Sequence, residues 1–125
     1  LYGDVQATII YDIDNIISIQ FQVEWSSEEL AHPFSMSTFL TYDLNKGREM
    51  TLFDYVPEDK LPALENSLRE ILSDYSHINT EDLSIRKDHP FYLSTWDGDI
   101  VLYFKRYELS SSVEVHVHRK LGLIE

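Results

Sequence analysis

Met36-Ser-Thr-Phe-Leu-Thr-Tyr-Asp-Leu-Asn-Lys-Gly-Arg-Glu-Met-Thr-Leu-Phe-Asp-Tyr-Val56 reads as a strand, a glycine turn and a short apolar segment that opens a helix. From about Met36 to Leu44 the chain alternates, with Met36, Thr38, Leu40 and Tyr42 on one side. Asn45-Lys46-Gly47 closes the strand, and Gly47 can take a positive φ at little cost. Everything upstream reads as strand. Everything downstream reads as one helix and more strands.

Upstream, Val5, Ala7, Ile9 and Tyr11 alternate with Gln6, Thr8 and Asp12, the period of a half-buried strand. Asp14-Asn15 is a turn signal. In the next strand Ile17, Ile19, Phe21, Val23 and Trp25 face one way and Ser18, Gln20, Gln22 and Glu24 the other. The two make an antiparallel hairpin. Ser26 to Pro33 breaks the alternation and reads as a loop.

Downstream, Pro57 to Tyr75 carries Leu61, Leu64, Leu68, Ile71, Leu72 and Tyr75 at helical spacing, with Asp59 as N-cap and Pro62 in the first turn. His77 to Pro90 is polar and irregular. Phe91–Trp96 is a fourth strand, Asp97-Gly98 a hairpin turn and Ile100–Leu109 a fifth strand. On a sixth, Val113, Val115 and Val117 face inward, opposite Glu114, His116 and His118. The order β-β-β-α-β-β-β predicts an α+β fold: one antiparallel sheet of about six strands with one main helix packed on a face.

At 125 residues the chain is one domain, 1–125, long enough for a single core. A hydrophobic share of 43% argues against disorder. Acidic residues outnumber basic ones 22 to 10, and the resulting charge of −12 repels nucleic acid and anionic lipid and favours a cationic partner. It equally serves plain solubility. With no cysteine there is no disulfide framework and no thiolate chemistry. No apolar run approaches the roughly 20 residues of a membrane span, so any membrane contact is expected through a segment outside this chain. Leu1 is not an initiator methionine, which reads as a piece excised from a longer anchored or secreted protein.

Chemistry is sparse. His116 and His118, two apart on a strand, share a face and could hold a metal with His32 or His89, but they read equally as exposed histidines on a polar face. Asp12-Ile-Asp-Asn15 lacks the glycine and distal glutamate of a calcium loop. Ser110-Ser-Ser112 lacks the flanking glycines of a nucleophile elbow. No phosphate-cradling loop and no basic aromatic patch is present. The reading is that of a protein without cofactor, metal or catalytic residues.

Several segments do resemble a known family. Ala31-His32-Pro33, then Tyr42-Asp43-Leu-Asn-Lys-Gly47, then Met50-Thr-Leu-Phe-Asp-Tyr-Val56 are similar to the signature of the bacterial DUF3298 domain. That signature runs Gly-Ala-His-Pro, a strand ending Asp-Leu-x-x-Gly, and an apolar-Leu-x-Asp-Leu-Phe segment before a helix. Phe91-Tyr-Leu, Asp97-Gly98, Val101-Leu-Tyr-Phe104 and Tyr107-Glu108-Leu109 resemble the family's C-terminal Phe-Tyr-x-x-Tyr-Glu-Ile strand. The chain departs from the pattern at Leu30, where the family has glycine, at Lys105-Arg106, where proline is common before the tyrosine, and at Ser110–Ser112, in place of an Ala-Pro-Tyr loop.

The resemblance implies an extracytoplasmic, non-catalytic binding or sensor module. The family includes the outer domain of a lysozyme-sensing anti-sigma factor, the N-terminal part of some peptidoglycan deacetylases and uncharacterised surface proteins. A protein partner, basic and lysozyme-like, or cell-wall material follows as the expected ligand. The expected binding face comprises His32, Trp96, Tyr107 and Glu108: a loop histidine, two aromatic anchors and a charge for a basic partner. A cytoplasmic alternative is an acidic inhibitor or immunity-type protein that neutralises a basic partner.

Overall fold

The structure, a computed structural model, describes residues 2–27, 34–81, 83–110 and 113–124. Eight strands are formed: β1 (Tyr2–Ile13), β2 (Ile16–Ser26), β3 (Phe34–Asp43), β4 (Arg48–Met50), β5 (Phe91–Leu93), β6 (Ile100–Phe104), β7 (Val115–His118) and β8 (Gly122–Ile124). One α-helix, α1 (Leu61–Leu72), lies between β4 and β5. The strands make two antiparallel sheets, β1-β2-β3-β4 and β5-β6-β7-β8.

One helix between two sets of antiparallel strands is as the sequence predicts, but the single six-stranded sheet is replaced by two sheets of four. The return of the chain after Gly47 places β4 on the outer edge of β3, and β5 takes β6 as its hydrogen-bonding neighbour. Thus β3 and β5 pack together without sharing a ladder.

Local chemistry sets the turns. Asp14 and Asn15 both have positive φ (55° and 63°), the two-residue hairpin geometry that matches strand twist. Asp43 closes the next turn by accepting the Asn45 and Lys46 N–H groups on Oδ1 at 2.9 and 3.0 Å. Arg48 bridges Asp54 at 3.0 Å, and Asp54 also accepts the Thr51 N–H at 2.7 Å, so the chain bends into a 3-10 turn over Leu52–Asp54. The helix is shorter than predicted because Glu58–Lys60 forms a second 3-10 turn; Lys60, not Asp59, is its N-cap. The fourth and fifth strands are also shorter than predicted. Turns bonded Gly98 N to Ser94 O (2.9 Å) and Tyr107 N to Ser110 O (2.7 Å) interrupt them.

The core lies between α1 and the second sheet. Leu61, Leu64, Leu68 and Leu72 bury the helix stripe against Ile100, Leu102, Phe104, Val115 and Val117. On the other face of the same sheet Val101 and Tyr103 are also buried, and the Phe39 ring of β3 packs on Tyr103 at 5.0 Å. Val113, expected to face inward, is exposed, and in the strand expected to be half-buried Val5 and Ile9 are 64% and 59% exposed. A register irregularity between Ile9 and Tyr11 turns Tyr11 into the core while the residues before it stay outside.

Candidate functional site

The first sheet is inverted with respect to its amphipathicity. Its polar side meets the body of the protein: the Ser18 and Thr41 hydroxyls are buried 2.7 Å apart, and Ser18 Oγ accepts the Leu93 N–H at 3.1 Å. Its apolar side faces out. Cross-strand pairing aligns Val5, Val23 and Met36 in one row, Ala7, Phe21 and Thr38 in the next, and Ile9, Ile19 and Leu40 in a third. None of these nine side chains ionises. Ile17 and Tyr42 continue the face at one end, where Asp12 and Glu49 bring carboxylates into the same row, and Trp25 continues it at the other, so it runs roughly 26 Å along β2 at about 3.3 Å per residue. A contiguous apolar surface of this kind marks a site of interaction.

The opposite side of the same strands is acidic and polar at its far end. Asp4 stands directly across from Glu24, a like-charge pair that costs stability unless a cation relieves it. The face therefore has an acidic back.

Where the sheets meet, the hydroxyl of Tyr92 lies 3.0 Å from His116 Nδ1, and His116 Nε2 lies 3.2 Å from Glu114 Oε1. Glu114 Oε2 accepts the Tyr103 hydroxyl at 2.7 Å. Phe39 stacks on Tyr92 at 4.8 Å. This chain resembles a proton relay in outline, but its electrostatics oppose that use. Burial pushes the Tyr92 phenol up to about 12, and burial with the Glu114 hydrogen bond pushes Tyr103 up as well. Both phenols stay protonated, donors rather than bases or nucleophiles. The cluster joins the sheets.

His116 and His118 do share one side of β7, as their spacing implies, but they serve different partners. His118 is fully buried, not exposed: Nδ1 accepts the Lys120 and Leu121 N–H groups at 3.1 and 3.3 Å, and Nε2 faces Asp97 at 3.2 Å. Neither imidazole keeps a lone pair free for a cation. No group of three or more potential metal ligands occurs among the described residues.

Of the residues expected to form a binding face, His32 lies outside the described residues. Trp96 is 76% exposed in the β5–β6 loop, with its N–H on Ser94 Oγ. Tyr107, 69% exposed, and Glu108 follow β6 at its other end. Tyr107 has φ 76°, a strained conformation for a bulky residue, and Arg106 lies 5.2 Å over its ring. Glu108 accepts the Lys105 N–H at 3.1 Å and so closes its own turn. The five residues of β6 separate Trp96 from the Tyr107–Glu108 pair. The open face of β1–β3 was readable as an apolar stripe, but its alternation gave no sign of which side is covered.

No family model and no curated protein matches the sequence. Solved structures do match the fold, two of them from the DUF3298 family. A DUF3298 family member from Bacteroides fragilis aligns over 99% of this chain and 55% of its own, at 20% identity and a TM-score of 0.72. A DUF3298 family protein from Pseudomonas aeruginosa aligns over 98% of this chain and 62% of its own, at 19% identity and a TM-score of 0.64. The chain thus spans less than two thirds of either. The likeness is one of fold and agrees with the resemblance carried by the sequence motifs. The fold of this chain is that of the DUF3298 family.

Proposed function

We propose that the chain is a non-catalytic, extracytoplasmic binding or sensor domain that docks a protein partner through the open apolar face of β1–β3. The observation that carries this reading is the inversion of the first sheet, which turns nine non-ionising side chains outward while the Ser18 and Thr41 hydroxyls are buried on its other side. The charge of −12 and the Asp4–Glu24 pair favour a partner whose apolar patch sits in a basic surround. The extracytoplasmic location is supported by the family resemblance, which also supplies a cationic lysozyme as the first partner to try. Cell-wall material is the other ligand that the resemblance suggests. Tyr107, held out in a strained conformation, offers a secondary anchor.

The test is calorimetric titration with a C-type lysozyme at low and physiological salt, using the wild type and an Ile9→Lys variant. Saturable 1:1 binding that survives physiological salt and weakens at least about tenfold in the variant is expected, since a charge on a desolvated apolar face costs more than 1.4 kcal/mol. Binding confined to low salt would reduce the interaction to charge attraction. Binding indifferent to Ile9→Lys would move the site elsewhere. The acidic-inhibitor reading uses the same charge; a requirement for expression in the same cytosol as a basic toxin would favour it.

A further inference from the structure

We propose that the outer edge of β3 takes an extended peptide as an added strand, seated in the cleft between this edge and the segment that enters β5. This goes beyond the docking face described above and uses a different part of the sheet.

The argument starts from an interrupted ladder. β4 pairs with β3 only at Thr41–Met50, Tyr42–Glu49 and Asp43–Arg48. The Asp43 carbonyl accepts the Gly47 N–H, so the backbone of Asp43 points outward. Alternation in an antiparallel sheet then points Thr41, Phe39 and Ser37 the same way. The N–H of Ser37 meets the Tyr103 phenol. The next outward position, Phe39, stands where residue 52 would have paired, but the Thr51–Asp54 bonds carry the chain away from β3 at that point. Among the described residues, the edge of β3 before Thr41 therefore has no hydrogen-bonded strand beside it.

What lies beside it instead is a cleft of about 510 Å³. Phe39, Met50 and Phe91 give it an apolar lining. Arg86 and Lys87 stand against Glu49 and Asp88, and among the described residues none of the four enters an ion pair. Opposite signs cancel, so the cleft suits an uncharged backbone. His89, also lining the cleft, is buried with Nε2 lacking any partner. Burial depresses its pKa to about 4, which leaves an acceptor for an N–H or hydroxyl. An extended peptide meets two of these demands: a strand for the edge and an apolar side chain beside Phe39.

The probe is a capped heptapeptide in which valines alternate with threonines, N-methylated one residue at a time. Saturable binding is expected, with protection of the Phe39 amide from hydrogen exchange. Methylation should weaken binding roughly tenfold at the one residue that pairs with Phe39 and little at its neighbours, because Ser37 and Thr41 already have partners. Ile9→Lys should leave this binding unchanged, which separates it from the proposed docking face. A flat methylation profile, perturbation centred on Val5 and Ile9, an unprotected Phe39 amide, or no saturation would each overturn the proposal.

Discussion

The two sheets treat the same kind of sequence in opposite ways. In β6 every residue of Ile-Val-Leu-Tyr-Phe is buried, with the helix on one face and Phe39 near the other. In β1, twelve residues long, Tyr11 is the one described side chain that is buried. The second sheet is short and covered on both faces; the first is long and covered only where it meets the second. Apolar alternation makes a strand, but what packs against it decides whether its apolar side becomes core or surface.

The largest test of that contrast is a pair of truncations. Leu102→Ala should cost about 2–5 kcal/mol in denaturant unfolding, whereas Ile9→Ala should stay within about 0.5 kcal/mol. A comparable loss at Ile9 would mean that the open face is covered in solution. The next test is pH. Burial lowers the His89 pKa from 6.5 to about 4, so the folded state binds its proton less readily than the unfolded chain. The neutral ring's advantage is fully present above about 6.5 and is lost as pH falls toward 4, a change on the order of 3 kcal/mol. His89→Phe should flatten that slope in urea titrations at pH 4 to 7.

Ser18→Val probes the junction. It leaves the Leu93 N–H and the Thr41 hydroxyl buried without their partner and should cost about 1–3 kcal/mol, against near neutrality for Ser35→Val on the exposed end of β3. Equal effects at both would dissolve the distinction between the two ends of the sheet. The smallest effect runs the other way. Tyr107→Gly should stabilise the fold by about 1 kcal/mol by removing a strained left-handed residue, while weakening any contact that Tyr107 makes with a partner.

Much of this fold was legible because it is written locally. The Asp14-Asn15 and Gly47 turns, the leucine stripe of α1 and the alternation of β2 follow from residue chemistry within a few positions. The division into two sheets was not, since which strands share a ladder depends on partners far apart in the chain. The run Ile100–Phe104 did carry a hint, because a strand without alternation is one buried on both faces. The apolar face of β1–β3 was visible as an alternating stripe, but nothing in the stripe says which side is covered. Ser18 and Thr41 meeting across 23 residues show that the polar reverse is the inside. His89 gave no signal beyond being a histidine before a proline.

The inverted sheet has a consequence for the behaviour of the protein in bulk. A molecule that exposes an apolar plane bounded by an unpaired strand edge needs something to keep its copies apart, and the surplus of carboxylates supplies that as colloidal repulsion. Near pH 4.6, where the net charge vanishes, this protection disappears while the plane remains. Solutions clear at neutral pH should scatter light there, and raising the salt at neutral pH should bring the same molecules together more gently. The acidity of the chain is then as much a condition for its being a monomer as a lure for a cationic partner.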